Sequence, residues 1–551
     1  MKNVGKGVYF LMTLLTVSVL LAGCAGPYAA MDRLAYPGDQ PTEPWWRHAV
    51  FYEIFVRSFY DSDGDGIGDL NGITQKLDYL NDGNPATGDD LGVTALWLMP
   101  IHPSPSYHGY DVIDYRAVNP DYGSMEDFQA LLTAAHDRGI RVIIDMVINH
   151  TSNQHEWFQA SNAGDAAYRD YYIWSDEDPG YNGPWGQDVW YSGQDGYYYA
   201  VFWDGMPDLN AANPTVQQEI FDVADFWLNE VGVDGFRMDG AKHIIEEGQV
   251  QENSPATHTF LKAYNAHVKS TAEQALVVGE VWSPSTQVAE YVTGGELDLA
   301  FNFELAEAMV SAATFADASR ISNTLTQQSR AFDGAPYAAF LTNHDQNRVM
   351  SALNGDVDKA RLAATLLLTA PGTPFLYYGE EIGMTGSKPD PNIRKPMQWA
   401  PDELGGFTTG TPWTTLNGDI SLRNVEDALK DDDSLLRHYQ RLIHLRSGHP
   451  ALRVGDVWQV QTGQRSVYAS LRTYEDEALL VVVNLGKSPV SEVKLRWEES
   501  PLSGTYQAVS LLGEGKPYDL TTAAGGSLEE TLFVDEMPGY SSWIFVLQPA
   551  N

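Results

Sequence analysis

Four segments of the sequence end an apolar run on a carboxylate or an Asn-His pair. They are Val142–Ile148 before Asn149-His150, Gly235–Met238 before Asp239, Leu276–Gly279 before Glu280, and Ala338–Thr342 before Asn343-His344-Asp345. Taken singly, a strand-end Asp is an ordinary turn or helix-capping residue, because its side chain accepts hydrogen bonds from nearby backbone amides. Four such ends, three of them beside Arg, His or Asn, are harder to dismiss. If the runs are strands of one β/α barrel, their C-terminal ends face a shared mouth, and acids distant in sequence meet in space. Two carboxyls flanking a bond, one ionised and one protonated, are what glycoside hydrolysis requires. Arg237 lies two residues before Asp239, so on a strand both side chains share a face, and the fixed cation should hold Asp239 ionised. Val281 and Trp282 follow Glu280; their bulk should desolvate it and keep it protonated near neutrality.

The elements that would position these residues read as β/α units. From Trp45 onward, short apolar runs alternate with amphipathic stretches, the pattern of a parallel sheet covered by helices. Ser124, with Asp127 three residues on, forms a capping box, and Phe128, Leu131, Leu132 and Ala135 follow at i, i+3, i+4 and i+7. Gly139 stops that helix before a buried strand at Arg141–Asp145. A second helix starts at Asn213-Pro214 and runs through Phe221, Ala224, Phe226 and Leu228 towards the strand ending at Asp239. Between about 147 and 212 the rhythm fails in a stretch dense in Trp, Tyr, Gly and Asp. A structureless loop of that length is improbable, so it reads as a subdomain inserted after the third strand. After about Ala451, short alternating strands such as Ser466–Thr473, Ala478–Asn484 and Ser541–Leu547 point to an antiparallel β-sandwich. The expectation is an α/β chain with a barrel over 45–450 and a C-terminal domain over 451–551.

With these residues in view, the sequence resembles the α-amylase family, glycoside hydrolase family 13. The matching segments are Asp145-Met-Val-Ile-Asn-His150, Gly235-Phe-Arg-Met-Asp-Gly-Ala-Lys-His243, Val278-Gly-Glu-Val-Trp282 and Leu341-Thr-Asn-His-Asp345. A fifth, Met206-Pro-Asp-Leu-Asn210, is similar to the form carried by a subgroup between oligo-1,6-glucosidases and neopullulanases. The resemblance implies a (β/α)8 TIM barrel that cleaves α-1,4-glucosidic bonds in starch or maltodextrins with retention. It gives Asp239 the nucleophile's role, Glu280 that of general acid/base, and Asp345 that of a transition-state stabiliser. Retention sets the Asp239 and Glu280 carboxyls about 5–5.5 Å apart. His150 and His344 would donate to the sugar at the cleavage point, and Tyr110 of Tyr107-His108-Gly109-Tyr110 would stack on it. Arg237, His108, Lys242 and His243 complete the implied substrate-binding set. Exo-acting family members commonly carry an acid three residues before that tyrosine; Tyr107 stands there, which favours endo cleavage. A transglycosylase or sugar isomerase uses the same scaffold. A non-catalytic glucan-binding relative would lack one or more of the three acids, and all three are present.

Asp61-Ser-Asp-Gly-Asp-Gly-Ile-Gly-Asp69 spaces acids at alternate positions around glycine turns, as a loop wrapping a hard cation does. It resembles an EF-hand loop through its ninth position, but Gly72 stands where the twelfth should be Glu. Similar loops after the first barrel strand bind Ca²⁺ in this family, which implies ligands at Asp61, Asp63, Asp65, Ile67 and Asp69. The same resemblance implies a second Ca²⁺ site at Asn149, Asp208 and the backbone of His243, clasping the insertion to the barrel.

Composition sets outer limits. The 551 residues, 43% hydrophobic and 12% aromatic, are ample for several domains. Against 34 basic residues stand 74 acidic ones, a formal net charge of −40. Such a surface repels nucleic acid but not a neutral glucan. Lys2 and Lys6 precede an apolar run from Val8 to Leu21, shorter than the roughly 20 residues of a membrane span. Leu21-Ala22-Gly23-Cys24 then resembles a bacterial lipoprotein signal, implying cleavage before Cys24 and acylation of its sulfur. Residues 25–44, rich in Pro, read as a tether. The expectation is an exported protein that meets the membrane only through a lipid on Cys24.

Overall fold

A computed structural model describes residues 43–513 and 518–550. Eight short strands organise the larger part: β1 Phe51–Ile54, β2 Ala95–Leu98, β3 Arg141–Met146, β4 Gly235–Met238, β5 Leu276–Gly279, β6 Leu299–Ala300, β7 Ala338–Phe340 and β8 Thr373–Tyr377. All their pairings are parallel, in the order β7-β8-β1-β2-β3-β4-β5-β6. A parallel bridge from Phe301 to Ala338 brings the β6 end back to β7, so the sheet closes into a (β/α)8 barrel. Every residue of all eight strands is buried, as parallel strands with helices outside and side chains inside must be.

Side chains alternate across a strand, and the inward set changes character along the barrel axis. Low in the barrel lie Phe51, Ala95, Ile143, Leu276, Ala338 and Phe375, members of one apolar cluster. Phe51 stacks flat on its register partner Phe375, centroids 4.1 Å apart. Two residues further along β1, β3 and β4 the inward positions are Glu53, Asp145 and Arg237. The floor is oily and the mouth is charged.

Helix Met125–Asp137 forms as its sequence dictates. The Ser124 hydroxyl accepts from Asp127 N at 3.2 Å while Asp127 accepts from Ser124 N at 2.8 Å, and Phe128, Leu131, Leu132 and Ala135 are the buried face. The helix at Pro214–Asp225 departs from the expected face. It continues as a π-helical turn at Phe226–Val231, and the buried residues are Val216, Ile220, Val223, Ala224, Trp227, Leu228 and Val231 rather than Phe221 and Phe226. The wider turn swings the following residues round; Trp227 reaches the core, where its indole N–H donates to Tyr115 O at 2.7 Å.

Between β3 and Pro214 the chain forms helix Glu156–Asn162 and a three-stranded antiparallel sheet, with Tyr197–Tyr199 between Trp174–Ser175 and Trp190–Ser192. Val189, Tyr199 and Val201 make a small core against which Trp190 and Phe202 pack. Trp185 and Trp203 stay exposed, so core packing does not account for these two. Beyond the barrel, six antiparallel strands form one sheet, and Val490–Trp497 pairs with Leu528–Met537 in a second. Leu480, Val482 and Phe545 of the first share a core with Val493, Leu495 and Phe533 of the second. A buried arginine joins this part to the barrel: Arg472 donates to Thr369 O at the C-terminal end of helix Val357–Thr369, beside Leu368 O and Ala370 O, which the barrel's own Arg446 meets.

Replacing Ser124 by Ala removes half of a capping box and should cost about 1 kcal/mol. The expected result is a lower denaturant midpoint with an unchanged slope; an unchanged midpoint would show that Asp127 alone sustains the helix start.

Candidate active site

Arg237 on β4 is the node of the barrel mouth. Its side chain is 0% exposed. Nη1 donates to Asp145 Oδ1 and to Asp239 Oδ1, both at 2.6 Å, and Nη2 donates to Glu280 Oε2 at 2.7 Å. The rings of Trp97 and Tyr110 lie 5.1 and 5.8 Å from the guanidinium carbon. Register explains the meeting: Arg237 on β4 is the Cα partner of Asp145 on β3 and of Val278 on β5, two residues before Glu280. Asp239 and Glu280 are therefore bridged by adjacent nitrogens of one planar fork. Gly240, at φ +50° in the left-handed region, turns the chain after Asp239 and aims its amide at Glu280 Oε2, 3.3 Å away.

Asp345 is held differently. Strand β7 ends at Phe340, earlier than the sequence pattern suggests, because β8 pairs with it only through Ala338–Phe340. The freed residues curl, Asp345 N donating to Asn343 Oδ1. Arg394 then donates to Asp345 Oδ1 at 2.8 Å and to His344 O at 3.0 Å. His344 Nε2 lies 3.2 Å from Asp345 Oδ2 and 2.7 Å from the Tyr110 hydroxyl, and Nδ1 lies 2.5 Å from Glu53 Oε1.

These contacts sort the protonation states. Although burial opposes it, His344 is raised to about 10 by Asp345 and Glu53, so it is a cation. Burial also works against Asp345, yet His344 and Arg394 hold its carboxyl far below the usual range. Burial pushes Glu280 up, Arg237 pulls it down, and the charges of Asp239 and Asp345 push it up again, for a net rise. Asp239 is likewise raised by burial, with Arg237 pulling against it. Burial raises Asp145 to about 7. Trp282 stacks its indole on Phe303, centroids 4.5 Å apart, and is half exposed.

The mouth opens into a cavity of about 780 Å³ that reaches Asp239, Glu280 and Asp345. Of the residues expected to bind substrate, Tyr110, His108, His150, Lys242 and His243 line it. Arg237 and His344 sit beneath the wall, their hydrogen-bonding groups turned to protein partners. His150, lowered by burial to about 4 and hence neutral, is 3.1 Å through Nε2 from Tyr110 O. Lys242 donates to Trp282 O and pairs with Glu252. Residues unassigned from sequence complete the site: Glu53 and Asp145 beneath it, and Trp185, Trp203, Lys388, Asp390 and Arg394 around it. A lone acid within each of the apolar strands β1 and β3 was the available signal for the first two.

The acidic loop brings carboxylate oxygens of Asp61, Asp63 and Asp65 within 4.8 Å of one another. Asp69 stands apart from that trio; it accepts from Ser62 N and caps helix Leu70–Gln75 through Gly72 N. Ile67 closes the loop by donating its N–H to Asp65. Burial, then the charges of Asp63 and Asp61, raise Asp65. Three converging carboxylates of like charge suit a hard cation. At the second place, Asn149 Nδ2 donates to Asp208 Oδ2 at 3.0 Å, leaving Asn149 Oδ1 buried without a partner. Burial and the charge of Glu246, a neighbour the sequence did not suggest, push Asp208 well up; burial brings Glu246 to about 7. That oxygen-rich, like-charged set also fits a cation. Cys24 lies outside the described residues.

A closed barrel whose mouth gathers three cavity-facing acids, two of them bonded to one buried guanidinium, is the architecture of a carboxylate-based glycosidase. The family model for the alpha amylase catalytic domain matches residues 53–455. Alpha-amylase 3 of Dictyoglomus thermophilum is 44% identical over 453 residues, covering 81% of this chain and 86% of that protein. The trehalose synthase/amylase TreS of Mycolicibacterium smegmatis is 36% identical over 520 residues, covering 82% of this chain and 86% of that protein. The crystal structure of an alpha-amylase from H. orenii superposes with a TM-score of 0.80 at 42% identity, over 91% of this chain and 100% of that one. The chain belongs to the α-amylase family and is an enzyme acting on glycosidic bonds.

Arg237→Lys keeps the charge but cannot bridge three carboxyls. It should lower kcat/KM about 10²-fold. Arg237 depresses the Asp239 pKa, so weakening it raises that pKa and moves the acid limb of the pH–rate profile upward. A limb that stays in place would show that Arg237 does not set Asp239's ionisation.

Proposed function

We propose that the protein is a retaining, endo-acting α-amylase that hydrolyses α-1,4 bonds of starch or maltodextrins. The observation that carries this is the single guanidinium bridging Asp239 and Glu280 at the floor of the cavity. In the first step the Asp239 carboxylate attacks the anomeric carbon, the bond to the glycosidic oxygen breaks, and Glu280 gives that oxygen its proton. In the second, Glu280 takes a proton from water, whose oxygen displaces Asp239 from the sugar. Bonds to two nitrogens of one guanidinium keep the carboxyls close, which favours direct attack over a water-separated, inverting arrangement. Asp345, ionised by His344 and Arg394, faces the positive charge that develops on the sugar.

Endo cleavage is supported at Tyr107, whose ring stacks on Trp413 with centroids 5.5 Å apart, presenting an aromatic surface where a terminal sugar would need an acid. The relative named trehalose synthase/amylase keeps a transfer or isomerisation reading in view. The discriminating experiment is a proton NMR time course on maltoheptaose and soluble starch with a chain lacking residues 1–24. Short oligosaccharides released first as α-anomers are expected from both substrates. Rearranged or lengthened products would replace hydrolysis by transfer, and β-anomers would overturn retention.

Ca²⁺ would be held by the Asp61, Asp63 and Asp65 loop and by the Asn149–Asp208 pair, neutralising like charges and stiffening both loops without entering the reaction. Export and lipid anchoring through Cys24 complete the proposal. A chelator is expected to lower the thermal unfolding midpoint of the wild type, with a smaller response in Asp63→Ala. Equal responses would remove the acidic loop from the metal sites.

A further inference from the structure

Among the described residues, the exposed Trp and Phe side chains are Trp185, Trp203, Trp282 and Phe315, between 47% and 61% accessible. Apolar rings left in water forgo the stabilisation that burial would give them. Trp185, Trp203 and Trp282 rim the active-site cavity. Phe315 lines a second hollow of about 710 Å³, and Trp282 lines both, forming the ridge between them. Each of these two rings is backed on one side: Trp282 by Phe303, and Phe315 by the Arg320 guanidinium 4.7 Å from its centroid. The hollow's polar groups include Glu304, Glu307, Asn347 and Gln346, whose Oε1 is buried without a partner, and no Lys or Arg lines it. Two carboxylates with no lining cation disfavour an anionic ligand. Backed rings with amides in the same lining suit the C–H faces and hydroxyls of a neutral sugar chain.

The catalytic geometry gives the chain its direction. Glu280 must face the leaving oxygen, so the departing, reducing-end part of a glucan lies over the loop after β5, which carries Trp282. We infer that the second hollow binds this departing part of a long α-glucan after it crosses Trp282, so that the enzyme grips long chains better than short ones. The inference rests on the glucan-hydrolase reading above.

The test uses the full chain carrying Asp239→Asn, with and without Phe315→Ala or Ser311→Trp, the second placing bulk in the hollow from its helix wall. Calorimetric titration should show a long maltooligosaccharide of ten glucose units bound about five- to tenfold more weakly by both variants, with maltotriose affinity unchanged. Equal binding of the long chain by all three proteins overturns the inference, as does an equal loss for both sugars, which marks structural damage. A wild-type chain inactive on every α-glucan would overturn the hydrolase reading instead.

Discussion

The charged mouth depends on one buried cation. Arg237 has no access to water, so its charge must be met by protein, and three carboxyls on three adjacent strands meet it. Removing one partner of such a pair leaves an uncompensated buried charge, a loss of about 3–5 kcal/mol. The strand register is tied to it as well. Sliding β4 by one residue against β3 would turn Arg237 and Asp239 outward among the helices and bring Phe236 and Met238 into the mouth. The node thus fixes at once which residues face the cavity and how the two central acids stand to each other.

The distribution of cations explains why neighbouring acids behave differently. Asp345 has His344 and Arg394 close at hand and stays ionised. Asp145, Asp239 and Glu280 share a single guanidinium, so burial wins and all three rise. A shared cation cannot fully offset the burial of three carboxyls, so each gives up its proton less readily than it would in water. Of the three, Asp239 and Glu280 face the cavity. Tyr110 links the two groups, its hydroxyl lying between Asp145 and His344.

Much of this was legible because it is periodic. The capping box at Ser124, the apolar strands and the carboxylates at their ends follow from spacing alone, since a strand end in a closed parallel barrel has only one mouth to face. What the pattern hid were contacts between segments far apart in sequence. Glu53 reaches His344 across 291 positions, and no local signal announces that pairing. Glu246 faces Asp208 from a loop of no regular structure. Trp282 stacks on Phe303 of a helix beyond β6, a contact that nothing local in the sequence announces. The π-helical turn at Phe226–Val231 escaped because helical periodicity assumes a constant pitch.

The division between floor and walls bears on how one barrel serves different chemistries. The acids stand at strand ends, where backbone pairing leaves little freedom. The aromatic surfaces stand on loops: Trp185 and Trp203 in the insertion, Trp282 after β5 and Trp413 beyond β8. A covalent glycosyl intermediate formed on a fixed floor has no preference of its own between water and a sugar hydroxyl. That choice belongs to whatever the walls hold against it. Relatives named alpha-amylase and trehalose synthase/amylase each align with more than four-fifths of this chain, and a shared fold does not by itself fix the product. Here the loops place the exposed indoles of Trp185, Trp203 and Trp282 around the cavity that reaches the acids, so apolar walls stand over a charged floor.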